Sequence, residues 1–586
     1  MAKTLMGRNP ATINKKYTEY MLPTVLTAMA TNIANIVDSM MAGNLLGVDA
    51  LSAISILSPI SQLYFSLTIM FGLGASSVIA VAKGKNDIQK ANRTLTAELF
   101  VLGALSVVLI AVQLVFADGI CSLLITGDDI VHALAYEYYI PFIIGTPLQL
   151  LLLCSIYIVR ADNRPRFSSN IIIIANVVNL GLDYVFMGVL DMGIKGSSWA
   201  TVAGNLVGFI ILLTHFISGK STVHFDFSVL KKPREFFKIV GEFLAVGASG
   251  ALGTMLITVK MFFLNTLIID IGGIDGMISY SVCRPCQILI SMFITGASQT
   301  MILITSVCLG EKDYDGIRYA FRRAFSVLAV ASAVITLGLC AMSEPFIRLY
   351  GIVTEHDIAN AMPALQINAL SLPFLALSFL LLYYYMSTKR KALSTTIAVL
   401  NGIVLQIPAS LILGNLFGIM GVWWSFVAAQ VGTVVIVYII TLVIRKKSNG
   451  KYKNFYLLDT NDNDEITSIS FKATKENASA IPMYLESFLT SHDIEKNKAN
   501  RVAVAIEGFL GNLAQRSINK KDADIDIRLL SNGEEIIISI RSNGKLFDFT
   551  ADDNKEEASD IEVVKAISKS VEYSSVLGFN RLTIKI

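Results

Sequence analysis

The sequence predicts an all-α membrane protein of twelve transmembrane helices in two six-helix parallel repeats, followed by a C-terminal soluble α/β sandwich domain. Three observations predict it: long apolar runs from Tyr17 to Ile444, an internal repeat of constant offset, and a change to charged, mixed sequence after Arg445. Of 586 residues, 54% are hydrophobic and only 16% are charged, where a soluble chain carries about 25% charged residues. Mean hydropathy is +0.60. A chain of this length exceeds one core, so at least two units are expected.

Runs of about 20 apolar residues cross a bilayer as helices. Twelve are centred near residues 30, 66, 104, 146, 178, 206, 255, 292, 330, 374, 402 and 432. The first is too long for a signal-peptide core, no cleavage site follows it, and it reads as a retained membrane helix. Alternate loops carry the positive charge, from Lys83, Lys85, Lys90 and Arg93 through Arg160, Arg164 and Arg166 to Arg445, Lys446 and Lys447. The other loops carry only Lys195 and Arg348. The positive-inside rule then places both termini in the cytoplasm.

The repeat supports the division into halves. "AKGKNDIQKANR" pairs with "CLGEKDYDGIRYAFRR", Gly84 on Gly310 and Asp87 on Asp313, at an offset of 226. "LSPISQL" pairs with "CRPCQIL" at 226, and "GIKGSSW" with "GIMGVWW" at 225. An even number of helices per copy makes the repeat parallel, an arrangement that places solute between the halves. The expected divisions are 1–16 as a cytoplasmic N-terminus, 17–220 and 221–445 as the two lobes, 446–454 as a linker and 455–586 as a cytoplasmic domain.

Net charge is +3, and no basic stripe with interleaved aromatics appears, so no nucleic-acid partner is expected. The six cysteines lie in or beside apolar runs, which is not a secreted disulfide framework. "CRPC" lacks a thioredoxin-like context, and no metal or catalytic residue is assigned. The costly feature is Asp38, deep in the apolar stretch "NIANIVDSMMAGN". A mid-helix aspartate costs roughly 2.5–3.5 kcal/mol on insertion scales and usually faces a cavity or a partner.

"NIVDSMMAGNLLGVDALSA", "FGLGASSVIAVAKGKND" and "NLGLDYVFMGVLDMGIKGSSWATVAGN", with their second-half echoes, resemble the MATE (multidrug and toxic compound extrusion) transporters over the first 445 residues. The resemblance implies a prokaryotic cytoplasmic-membrane antiporter that exports small organic solutes, cationic drugs or metabolites, in exchange for H⁺ or Na⁺. It implies an ion site in the first lobe, falling here on Asp38, Asp183, Asn179 and Thr201. Local chemistry agrees: Asn179 and Asp183 are four apart and share a helical face. Two neighbouring carboxylates in a dry site share a proton or a cation, and the Asn and Thr oxygens leave Na⁺ equally open. Pro23 lies in the same helix as Asp38, and bending there on protonation is the gate the resemblance suggests.

The second lobe departs from the first. At an offset of 226, Asp38 faces Leu264 and Ser58 faces Arg284. Other branches carry an acid on helix 7, where this chain has Lys260. Lys260 reads as a lysine snorkelling to the interface, as a cavity cation pairing with an acid, or as the mark of an anionic or zwitterionic substrate. Arg284 is expected to start helix 8 as an anchor or to face the solute cavity. A lipid-linked or anionic-metabolite flippase of the same superfamily is the alternative transport reading.

After residue 455, "ITSISFKAT" alternates like a strand and two helical segments follow. Two strands around Asn532-Gly533, a last helix "ASDIEVVKAISKSVEYSSV" and a closing strand complete the order. This order resembles the histidine-kinase-type ATPase fold in its anti-sigma-factor form. The motifs are incomplete. Asn512 stands at the Mg²⁺-binding position, but Gly508 replaces the Glu and Ser542 the adenine-reading Asp, and the Gly-rich lid is missing. A degenerate domain without ATP hydrolysis is expected, whose roles are weak nucleotide binding, a protein partner or cytoplasmic sensing. A membrane-anchored anti-sigma-like signalling kinase is the rival from another class.

Overall fold

The computed structural model describes the chain except residues 1–7, 125–128, 220, 350–351, 353, 453, 460–464, 473, 517–522, 532–534 and 545–557, and leaves some side chains within helices undescribed. By proximity the chain divides into two compact units, 17–82 with 87–448, and 1–16 with 83–86 and 449–586.

In the larger unit, eleven helices among the described residues are long and apolar enough to cross a bilayer, against the twelve expected. The last of them, Lys391–Lys447, has 57 residues. At 1.5 Å per residue that is about 85 Å, far beyond a hydrocarbon core of about 30 Å. Gly418 interrupts it with φ 62° and ψ −149°. Gly273 interrupts the 78-residue helix Pro233–Gly310 in the same way, with φ 57° and ψ −148°. Apolar side chains such as Val107, Phe262 and Leu337 are exposed on these helices, which suits a hydrocarbon surround.

The repeat is written into the backbone. Helix Ile88–Val115 answers to Tyr314–Ala341, and Asp129–Ala161 to Glu355–Ser387, all four ends displaced by 226. Asp87 and Asp313 cap the first of these pairs, accepting from Lys90 N at 2.9 Å and from Gly316 N at 2.8 Å. The side-chain oxygen satisfies an amide that the helix start leaves open. Asn86 and Lys312, Asn163 and Lys389, Gly47 and Gly273, and Gly193 and Gly418 all take positive φ. Each pair stands 225 or 226 apart.

The halves meet closely through glycine. A Cβ on Gly74 would lie 2.3 Å from the Phe243 carbonyl oxygen, and one on Gly247 would lie 2.0 Å from that of Met70. Met70 sits in a π-helical turn, Ile69–Leu73, that adds a residue to its helix at this seam. Such turns shift backbone register locally.

The smaller unit holds one antiparallel sheet. Its strands are β1 (Glu465–Lys472), β2 (Asp524–Ser531), β3 (Ile536–Ser542), β4 (Ser570–Val576) and β5 (Phe579–Lys585), in the order β1-β2-β3-β5-β4. The fourth strand corrects the sequence reading, which ran one helix through to Val576. The helix is Ala558–Ile567, and Leu577 (φ 55°) with Gly578 (φ 70°) closes a hairpin. Two consecutive positive φ values suit a tight two-residue hairpin turn. The Asn532-Gly533 turn and the lid region before Ala558 lie outside the described residues.

One sheet face is apolar, with Ile527, Ile538 and Ile584 packed on Leu485, Ile506 and Phe509 of helices Lys475–Ser491 and Lys496–Arg516. The opposite face is polar, and the register aligns Ser470, Asp526, Arg541, Arg581 and Ser574 in one row. Residues of the same unit lie on it. Asn9 N donates to Ser470 Oγ at 2.9 Å, Thr12 Oγ1 to Asp526 Oδ1 at 3.4 Å, and Arg581 to the Lys83 carbonyl at 3.2 Å. Asn86 bonds Glu572.

Overpacking a close backbone contact costs about 1–3 kcal/mol. Gly247→Leu is therefore expected to lower the thermal midpoint of the detergent-purified protein. An unchanged midpoint would show that the seam tolerates a side chain.

Candidate functional site

Asp38, Asn179, Asp183 and Thr201 come together from three helices of the first half. Asp38 lies on Ala11–Leu46, Asn179 and Asp183 close the helix Pro165–Asp183, and Thr201 is in the second turn of Ile194–Ile217. Asn179 Nδ2 donates to Asp183 Oδ2 at 3.2 Å and to Thr201 Oγ1 at 3.3 Å. The Asp38 and Asp183 carboxyl groups lie close enough to interact directly. Asp183 is fully buried, and its Oδ1 accepts no hydrogen bond from a donor among the described residues. Carboxyl groups meet this closely with a proton or a cation between them.

The local sequence explains the convergence. A Cβ on Gly204 would lie 2.7 Å from the Ala175 carbonyl and 2.9 Å from Asn179 Cβ. The absent side chain thus lets Ile194–Ile217 approach the Asn179 turn. Asp183 is followed at once by a π-helical segment, Tyr184–Val189, a distortion frequent at functional sites. Pro23 leaves a kink point in the Asp38 helix, and its carbonyl is taken by Thr27 Oγ1 at 2.8 Å and by Ser169 Oγ at 2.6 Å.

Two members of the site were missed in the sequence. Ser197 Oγ donates to Asp38 Oδ1 at 3.0 Å. Tyr138 is buried within electrostatic reach of both carboxyls, and its carbonyl accepts from Ser198 Oγ at 2.8 Å. The paired serines of "GSSW" were the available signal, a polar doublet inside an apolar run. Glu98 was also missed. It is fully buried in Ile88–Val115, and neither carboxyl oxygen has a hydrogen-bond partner among the described residues. Intramembrane carboxyls are functional candidates by default, but this one lies outside the cluster's hydrogen bonds.

Lys260 is bonded inside the second half. Its Nζ donates to the Asn401 carbonyl oxygen at 3.2 Å, in the π-helical turn Leu400–Val404. The side chain lines a cavity of about 220 Å³. Arg284 does not start a helix. The helical stretch resumes after Gly273, some three turns earlier. The side chains of Arg284 and Asn512 lie outside the described residues. Ser542 ends β3 fully buried, its Oγ accepting from Gly544 N at 3.2 Å.

The fold and the buried polar cluster define a multi-pass membrane transporter rather than an enzyme. The MatE family model matches residues 23–185 and again 251–412, one match in each half. The chain belongs to this family of multidrug efflux transporters. It is 21% identical over 428 residues to the probable multidrug resistance protein YoeA of Bacillus subtilis, covering 72% of this chain and 91% of that one. Multidrug export protein MepA of Staphylococcus aureus is 22% identical over 418 residues, covering 71% and 90%. Among solved structures, an outward-facing multidrug resistance MATE transporter of the MOP superfamily superposes with a TM-score of 0.69 at 19% identity, covering 74% of this chain and 97% of that one. A MOP superfamily transporter from Pyrococcus furiosus, described as having a binding pocket of reverse polarity, superposes at 0.68 with 18% identity and coverages of 74% and 97%. These likenesses cover the membrane part.

Gly204→Val is expected to separate Asn179 from Thr201 and to abolish transport as fully as Asn179→Ala. Overpacking adds a loss of about 1–3 kcal/mol in stability. Flux in proteoliposomes paired with thermal unfolding reads both, and wild-type flux from the valine variant would detach this contact from function.

Proposed function

We propose that the protein is a secondary antiporter of twelve crossings, with Gly418 turning the chain between the last two and both termini cytoplasmic. It exports small organic solutes in exchange for H⁺ or Na⁺ bound at Asp38 and Asp183. The observation that carries this reading is the carboxyl pair, walled by Asn179 and Thr201, with Ser197 on Asp38. A proton between the carboxyls satisfies them, and so does Na⁺ held by carboxyl, amide and hydroxyl oxygens. Ion binding from outside favours the state that releases solute, and solute binding from inside favours ion loss. A membrane potential adds about 2.3 kcal/mol per charge per 100 mV.

The tail is proposed to be a regulatory domain, related in element order to histidine-kinase-type ATPases but without ATP turnover. Gly508 and Ser542 in place of the acidic residues support the loss of turnover. The regulatory role is supported by chain connectivity. The helix Ala11–Leu46 begins among residues of the tail's own unit and carries Asp38 further along. In this reading a change in the tail is felt at residues 11–16, the start of the same helix.

Asp38→Asn is expected to abolish gradient-driven efflux in proteoliposomes while the protein still purifies as a monodisperse species. Normal transport by that variant would end the ion-site reading. The choice between H⁺ and Na⁺ is read by imposing each gradient alone on the wild type. Removal of residues 450–586 is expected to leave ion-driven flux but to change its rate. An inserted, wholly inactive truncation would make the tail part of the transport machinery instead.

A further inference from the structure

We infer that the second half carries a binding site for a small organic anion, built around Lys260; as a transport site it rests on the antiport reading above. The cavity at Lys260 also presents the polar side chains of Thr254, Gln287, Asn401 and Gln430, and its described lining holds no Asp or Glu. Its remaining wall is largely apolar and aromatic, with Phe379 and Phe426. An ammonium group has three protons to donate. Among the described residues Lys260 places one on the Asn401 carbonyl. Asn401 Oδ1 and Gln430 Oε1 are buried in the same cavity without a hydrogen-bond partner among the described residues. Buried polar atoms are nearly always paired, so unpaired ones around a cavity point to a missing ligand. An amide end presents either its oxygen or its NH₂, so both residues can turn a donor toward an anion.

The duplication says what this cavity replaces. Leu264 and Phe426 line it. They stand 226 and 225 residues after Asp38 and Thr201, the offsets that relate the backbones of the halves. The cavity therefore takes in the second-half counterparts of two of the four cluster positions. One copy surrounds its polar space with carboxyls, and the other surrounds it with a lysine. A cation entering the second would face an ammonium with no acid in the described lining to offset it. A carboxylate or phosphate would gain a charge-assisted hydrogen bond, stronger than a neutral one. The volume of about 220 Å³ is below the ~300–1,000 Å³ usual for drug-sized ligands. It takes an anionic head and a short apolar body, which a soluble organic acid and an anionic lipid headgroup both offer.

The test is calorimetric binding to the purified full-length protein, using phenylbutyrate, its neutral amide and its amine as matched probes. The wild type is expected to bind the carboxylate at least about tenfold more tightly than the other two. Lys260→Met is expected to lose the preference and Lys260→Arg to keep it. Gln430→Leu, which leaves the lysine in place, is expected to weaken phenylbutyrate binding severalfold, and it stands in if the methionine variant misfolds. A parallel arm follows transbilayer movement of fluorescent phosphatidylglycerol and phosphatidylcholine in vesicles containing the protein. Lysine-dependent movement of phosphatidylglycerol alone assigns the site to a lipid headgroup. Equal affinity for the three probes together with no headgroup selectivity overturns the proposal, as does a preference that survives in Lys260→Met. Binding is read without any gradient, so a failed antiport reading and a failed anion site give different results.

Discussion

Everything in the first half depends on the contact between the Asp38 and Asp183 carboxyls inside an apolar helix layer. A lone carboxylate there is costly, and two side by side are tolerated only with a proton or cation shared between them and with polar partners around. The partners come from separate helices: Asn179 beside Asp183, Thr201 across the Gly204 contact, and Ser197 on Asp38. The site is thus complete only when the first, fifth and sixth apolar helices are packed. The polar contacts and the helix packing are one constraint here, because a looser helix pair would break the Asn179 and Ser197 hydrogen bonds.

The two halves separate backbone from chemistry. Caps at Asp87 and Asp313 and the paired positive-φ residues reproduce one set of turns 225 or 226 residues apart. These positions are dictated by chain reversal and amide satisfaction, which both copies need. Positions lining the interior are under no such demand. There Asp38 is matched by Leu264 and Thr201 by Phe426, while Lys260 has no acidic counterpart, since Ala34 stands 226 residues before it. A duplicated scaffold of this kind holds two different interior environments on a largely shared set of turns.

Much of the fold was legible because bilayers and helices impose simple periods. Apolar run lengths and the constant offset were enough for a mostly helical membrane fold in two halves, though not for the count of spans, and the spacing of Asn179 and Asp183 put them on one face. What was not legible depended on partners distant in sequence. Ser197 reads as a small residue after a turn until the Asp38 helix lies beside it, and Glu98 reads as a stray acid until its surroundings close over it. The segment Ser570–Val576 continued an apolar pattern that either helix or strand could use. The decision fell to β5, whose open edge offers a hydrogen-bonding partner along the whole segment. Lys260 was visible as an anomaly, but only its seat on the Asn401 carbonyl distinguishes a cavity-lining cation from one reaching for an interface.

The glycine seam between the halves bears on speed as well as on structure. Gly74 and Gly247 bring backbone against backbone at Phe243 and Met70, so these two points carry no side-chain knobs to withdraw when the halves part. Interlocked side chains must leave their rotamers in concert, which raises an activation barrier. A bare backbone contact separates by exposing carbonyl oxygens to which water or a neighbouring amide N–H can donate at once. A contact that is tight when shut and free of interlocked side chains when it opens lets a carrier exchange sides quickly.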